Sequence, residues 1–148
     1  MVHALEEIHR ILKPTGILID IHPVNEAMSV EVHHEDTIDL VSPWSVSQWC
    51  TDYQHADNAL AKVVQRGLFI VERKIEFNSL TYYSSIEEMR TDLKEAVDKF
   101  AREDQPAGEV EPDFETLAAR AEELMEKAAH GAELVARERA QISRLIPT

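Results

Sequence analysis

Apolar residues near the start of the chain change period. Leu5, Ile8 and Leu12 recur at spacings of three and four, with Ile11 beside them, while Glu6, Glu7, His9 and Arg10 fall elsewhere; this predicts an amphipathic helix. Lys13 suits a helix C-terminus, Pro14 cannot continue the hydrogen-bond ladder, and Gly16 permits the reversal that follows. Ile17, Leu18, Ile19 and Ile21 then form a run too short for a helix and too continuous for a half-exposed strand. A strand covered on both faces is expected, as in an α/β sheet.

Alternation in MSVEVHHEDTIDLVSP predicts two small strands, around Val30 and Val32 and around Ile38 and Leu40, joined at Glu35 and Asp36. Ser45 and Gln48 fit a capping box, and Trp49, Tyr53, Ala56, Leu60, Val63 and Gly67 keep a four-three rhythm. They predict a helix of about five turns that stops at the glycine. Leu68 to Tyr82 reads as a long strand with Phe69, Val71, Ile75 and Phe77 on one side. Ser85 and Glu88 cap a further helix carrying Ile86, Met89, Leu93, Val97 and Phe100, and Phe114, Leu117, Ala121, Leu124 and Ala128 mark another. QPAGEVEP, residues 105 to 112, is a loop inside one domain, because neither side carries enough chain for an independent core.

The segment after Gly131 supports two readings. Propensity extends the helix, with Val135, Ile142 and Leu145 in heptad phase. Alternatively Gly131 stops it, and Glu133 to Ile146 is an antiparallel edge strand.

Composition narrows the classes of function. The chain has 148 residues, 44% of them hydrophobic, enough for one domain with a real core. A net charge of -13 disfavours a phosphate backbone or an anionic membrane as partner, and the most basic stretches, at Arg73 and Lys74 and from Arg137 to Arg144, are diluted by glutamates. Neither nucleic acid nor membrane is expected as a partner. A single cysteine, Cys50, and the absence of a signal peptide or a bilayer-length apolar run point to the cytoplasm. Cys50 reads as a structural thiol, since nothing marks an activating base beside it.

ALEEIHRILKPTGILIDIHP, residues 4 to 23, resembles the helix, "LKPGG" turn and fifth strand of class I S-adenosylmethionine-dependent methyltransferases, with Thr15 in place of the first glycine. HADNALAKVVQRGLFIVERKIEF, residues 55 to 77, is similar to the next helix, "GLF" junction and sixth strand of some members. The fold that the resemblance implies is a partial Rossmann-like α/β sheet made of the family's strands five, six and seven with flanking helices, its N-terminal cofactor half absent. In that family the seventh strand inserts antiparallel between the fifth and sixth. The resemblance therefore favours the strand reading for Glu133 to Ile146.

The family holds its methyl donor against a glycine-rich turn after its first strand. Here Gly16, Gly67, Gly108 and Gly131 are the only glycines, none paired as GxG, so no residue carries over as a cofactor ligand. The resemblance thus implies a small-molecule methyltransferase chain that binds no S-adenosylmethionine by itself and is inactive alone. A shortened form of a longer gene product would read the same way. The second hypothesis, from a different class, is a homodimeric interaction module without catalysis, because the strand from Gly16 to His22 would keep an open edge and uncovered apolar surface. The expected partner is accordingly a second copy or a separate chain that supplies the missing half.

Candidate site residues are few, and no catalytic residue is assigned. His22 ends the buried strand at the edge where α/β sheets present ligands, so it can line a substrate pocket or act as a base. The plainer reading is a strand-end histidine bonded to the next loop. Trp44 and Trp49 flank the start of the long helix, where they would cover a methyl acceptor or, more simply, close a core edge. His33 and His34 sit among Glu31, Glu35 and Asp36, but adjacent strand residues point to opposite faces, so no metal site is expected. The pairs Glu6 with Glu7 and Glu122 with Glu123 do not face each other and read as solvated helix faces.

Overall fold

The turn that ends the first helix is built so that only glycine fits its last position. The Gly16 amide donates to the Lys13 carbonyl at 2.7 Å, and a Cβ at Gly16 would lie 2.7 Å from Leu12 Cδ1 and 2.9 Å from that same carbonyl oxygen. The structure, a computed structural model, describes residues 1–44, 47–100, 113–128 and 131–148, and of residues 47–50, 99 and 100 the backbone only. Its elements are α1 (Val2–Ile11), β1 (Leu18–Pro23), β2 (Met28–His34), β3 (Thr37–Trp44), α2 (Ser47–Gln65), β4 (Phe69–Tyr83), α3 (Ile86–Phe100), α4 (Phe114–Lys127) and β5 (Glu133–Pro147). The loop expected at residues 105 to 112 and the capping pair Ser45 and Gln48 lie outside the described residues and side chains.

The fold is mixed α/β, with helices flanking a five-stranded antiparallel sheet. The ladder order is β1, β5, β2, β3, and β4 also pairs with β5. β1 pairs antiparallel with the second half of β5, from Leu18 opposite Leu145 to Pro23 opposite Ala140. β2 pairs with the first half, from Ser29 opposite Arg137 to His33 opposite Glu133.

The last segment is therefore a strand, against its helical propensity. Gly131 takes a φ of 94°, outside the helical region, two residues before the strand begins. Sheet partners then satisfy the backbone of a segment whose Leu134, Val135 and Ala136 are all buried, as befits an inner strand. Local preference is worth only tenths of a kcal/mol per residue and yields to such pairing.

Two compact units make up the chain. The first comprises residues 1–25, 50–78 and 139–148, the second residues 26–49 and 79–138, so β4 and β5 contribute to both. In the first, Val63, Phe69 and Leu145 are fully buried, with Leu5, Ile8 and Leu12 of α1, Leu60 and Val64 of α2 and Leu18 of β1 packed against them. The apolar stripe predicted for α1 thus meets Leu60 and Val63, the last apolar members of the one predicted for α2, on one face of the sheet.

The expectation that β1 is covered on both faces is not met. Ile19 and Ile21, which alternate with Leu18, are 44% and 60% exposed, and Ile17 before them is also exposed. The reason is the supply of helices: α1 and α2 pack on the face of Leu18 and Leu145, and the isoleucine face receives no layer among the described residues. β4 departs in the same direction. Phe69 is buried, but Val71, Ile75 and Phe77, expected on the same side of the strand, remain exposed.

In the second unit the predicted hairpin forms, with Glu35 at a φ of 50° in its turn and a bulge between Val30 and Glu31. Val30, Val32, Trp44 and Leu134 from the strands meet Met89 and Leu93 of α3 and Leu117, Ala121 and Leu124 of α4 in one core. The cap of α3 is reciprocal but set one residue earlier than a simple box. The Ser85 hydroxyl accepts from the Glu88 amide at 3.1 Å, while the Glu88 carboxylate accepts from the Ser84 amide at 2.7 Å. Asp113 caps α4, accepting from the Thr116 amide at 3.0 Å.

Candidate functional site

Asp20 and His22 are two residues apart on β1 and so project from one face, the face that α2 covers. The β1–β5 register sets Gln141 directly opposite His22, and directly opposed residues of an antiparallel pair share a face. Asp57 on α2 completes the group. His22 Nδ1 lies 2.8 Å from Asp20 Oδ2, and Gln141 Nε2 lies 2.7 Å from His22 Nε2 and 2.9 Å from Asp57 Oδ1. The imidazole is only 11% exposed, whereas Asp57 is 41% exposed. A carboxylate that fixes one ring nitrogen leaves the other oriented as a base. Here that second nitrogen is occupied by Gln141.

His22 is therefore part of a four-residue cluster of the first unit, of which the sequence reading named one member. Asp20 was legible: a polar residue two before His22 in an otherwise apolar strand marks a shared face. Asp57 and Gln141 were not, because the first depends on the rotation of α2 over the sheet and the second on a register between residues 119 apart.

The other candidates fall elsewhere. Trp44 belongs to the core of the second unit, 4% exposed, with its ring centroid 6.3 Å from that of Phe114. It closes a core edge. The side chains of Trp49 and Cys50 lie outside the description. Among the described residues no group of three or more histidine, cysteine or acidic side chains is arranged to hold a metal ion. None of the described helices is long and apolar enough to cross a membrane.

His33 serves a buried carboxylate in the second unit. Glu31, 1% exposed, accepts from Ser29 Oγ at 2.7 Å, from His33 Nε2 at 2.8 Å and from Arg137 Nε at 2.7 Å. Burial by itself pushes the Glu31 carboxyl up, but the bonds from Ser29, His33 and Arg137, together with the arginine charge, hold it below the usual glutamate range. Ser29, His33 and Arg137 all converge on Glu31, so the arrangement is an anchor between β2 and β5. The sequence reading placed Glu31 and His33 only in a rejected metal set and Arg137 only in a basic stretch diluted by glutamates.

A shallow groove of about 440 Å³ runs beside the start of α3, lined by Tyr82, Tyr83, Glu87, Glu88, Asp92 and Glu95 among others. The Tyr83 hydroxyl donates to Asp92 at 2.8 Å; burial, then this bond and the nearby carboxylates, push the phenol well above its ordinary value. It stays a donor at any physiological pH. No family model, no curated protein and no solved structure matches the chain.

Proposed function

We propose that these 148 residues form the acceptor-side half of a class I S-adenosylmethionine-dependent methyltransferase fold, without donor-binding machinery of their own and inactive in methyl transfer alone. The observation that carries this reading is the place of the last strand. Glu133–Pro147 pairs antiparallel with Leu18–Pro23 and also pairs with Phe69–Tyr83, the arrangement that the LKPTG resemblance implies for the family's seventh strand between its fifth and sixth. Propensity alone argued for a helix there. The places of three glycines support the reading: Gly16 lies in the turn after α1, Gly67 with a φ of 71° follows α2, and Gly131 precedes β5, so each serves a junction between elements.

Titration calorimetry of the purified chain with S-adenosylmethionine and with S-adenosylhomocysteine tests it. At concentrations able to detect about 100 μM affinity, equivalent to about 5.5 kcal/mol, no saturable heat is expected. Stoichiometric binding would overturn the reading.

The exposed Ile19 and Ile21 favour a second reading, a homodimeric interaction module. They lie on β1, which ends the ladder order and so presents an open edge beside an apolar face. Under this reading the chain sediments as a dimer at micromolar concentration, and Ile21→Lys returns it to a monomer with stability changed by less than about 0.5 kcal/mol, as for other exposed sites. A wild-type monomer would dismiss it.

A further inference from the structure

We propose that His22, Gln141 and Asp57 form a two-position hydrogen-bond switch thrown by a proton on the imidazole. The groups that reach the ring come from three elements: Asp20 from β1, Asp57 from α2 and the neutral Gln141 from β5. An ionised carboxylate only accepts hydrogen bonds. His22 Nδ1, 2.8 Å from Asp20, must therefore carry a hydrogen. The end of the Gln141 amide that lies 2.9 Å from Asp57 must for the same reason be its NH2 group. That same nitrogen is 2.7 Å from His22 Nε2, so Nε2 presents a lone pair.

This position suits a neutral imidazole of the Nδ1–H tautomer, with both hydrogens of Gln141 engaged. In this position the 3.2 Å between His22 Nε2 and Asp57 Oδ1 separates two acceptors, and the amide between them supplies the hydrogens each needs.

A proton on Nε2 reverses both relations. The 3.2 Å approach to Asp57 becomes a charge-assisted hydrogen bond, while the 2.7 Å approach to Gln141 sets donor against donor. The amide must then turn over, offering Oε1 to the ring, or withdraw. In the neutral position α2 is tied to β1 through Gln141 of β5; in the protonated position His22 ties them directly. Asp57 is the exposed member, and it gives the proton its way in. The switch rests on the cluster geometry alone, so it stands or falls independently of any methyl-donor chemistry.

The experiment is a pH titration of the ¹⁵N-labelled chain from about pH 5 to 8, where histidine changes charge, following the His22 ring nitrogens and the Gln141 side-chain amide. The neutral ring is expected to show a protonated Nδ1 and a bare Nε2. The two Gln141 side-chain proton resonances are expected to shift along the same curve as His22, and to lose that curve in His22→Asn. A neutral ring protonated at Nε2 would overturn the proposal, as would a Gln141 amide that stays fixed while His22 titrates. Both decisive readings come from the wild-type chain, so they hold even if the variant fails to fold.

Discussion

Phe69→Ala is expected to destabilise the first unit by about 3–5 kcal/mol, the usual cost of removing a large aromatic from a core. Among the described residues Val63, Phe69 and Leu145 are the fully buried members of that cluster, so removing the ring opens a cavity at its centre. The ring also meets His9 edge-on, with centroids 5.2 Å apart, and that contact is lost with it. Against a total stability of about 5–15 kcal/mol for an ordinary domain, such a loss is a large fraction of the whole. The matched control is Phe77→Ala on the same strand: Phe77 is 42% exposed, and its removal is expected to cost less than about 1 kcal/mol. Urea unfolding, with amide exchange read on α1 and β4, measures both. Equal losses in the two variants would mean that the exposed length of β4 is covered in solution.

The contrast between Phe69 and Phe77 also shows where sequence patterning stops. Both residues have the same parity on β4 and equal hydrophobicity, and the pattern set both on one side of the strand. What separates them is whether a helix lies over that point of the strand, and this is a fact of tertiary placement. Helix existence was legible, since apolar stripes such as Leu5, Ile8 and Leu12 and stops such as Gly67 act within a few residues. The count of covering layers over β1 was not. An apolar run is compatible with two covered faces and with one covered face beside one left open to solvent, and Ile19 and Ile21 follow the second course.

The strand after Gly131 is the opposite case. Its residues favour a helix, and neither periodicity nor propensity pointed to the pairing with strands 18–23 and 69–83 that forms. The candidate site divides the same way. His22 was found because it sits at the end of an apolar strand, whereas Gln141 acquires its role only through that ladder, and Asp57 only through the seating of α2.

Arg137→Met is expected to cost the second unit about 2–3 kcal/mol at neutral pH. Glu31 is almost fully buried, and removing Arg137 takes away its one permanent positive partner. A fully buried pair broken in this way loses about 3–5 kcal/mol. The smaller figure follows because the Arg137 side chain is 44% exposed, so water screens part of the attraction, and because Ser29 and His33 go on donating to the carboxylate. The pH dependence has a definite sign. Glu31 titrates below the ordinary glutamate value in the folded chain, so its contribution is fully present above about pH 4.3 and is lost as pH falls through the lower folded value. The variant, without the arginine to hold that value down, has less to lose. The stability gap between the two chains should therefore narrow as the solution is acidified below about pH 4. A second substitution separates the pair from the fold around it: Glu31→Gln added to Arg137→Met removes the stranded charge, and the double variant is expected to be more stable than Arg137→Met alone. Urea unfolding of the wild type, Arg137→Met, Glu31→Gln alone and the double variant at neutral and acid pH measures the coupling. A gap that stays constant with pH, with no recovery in the double variant, would mean that Arg137 acts through the packing of its aliphatic stem and not through Glu31.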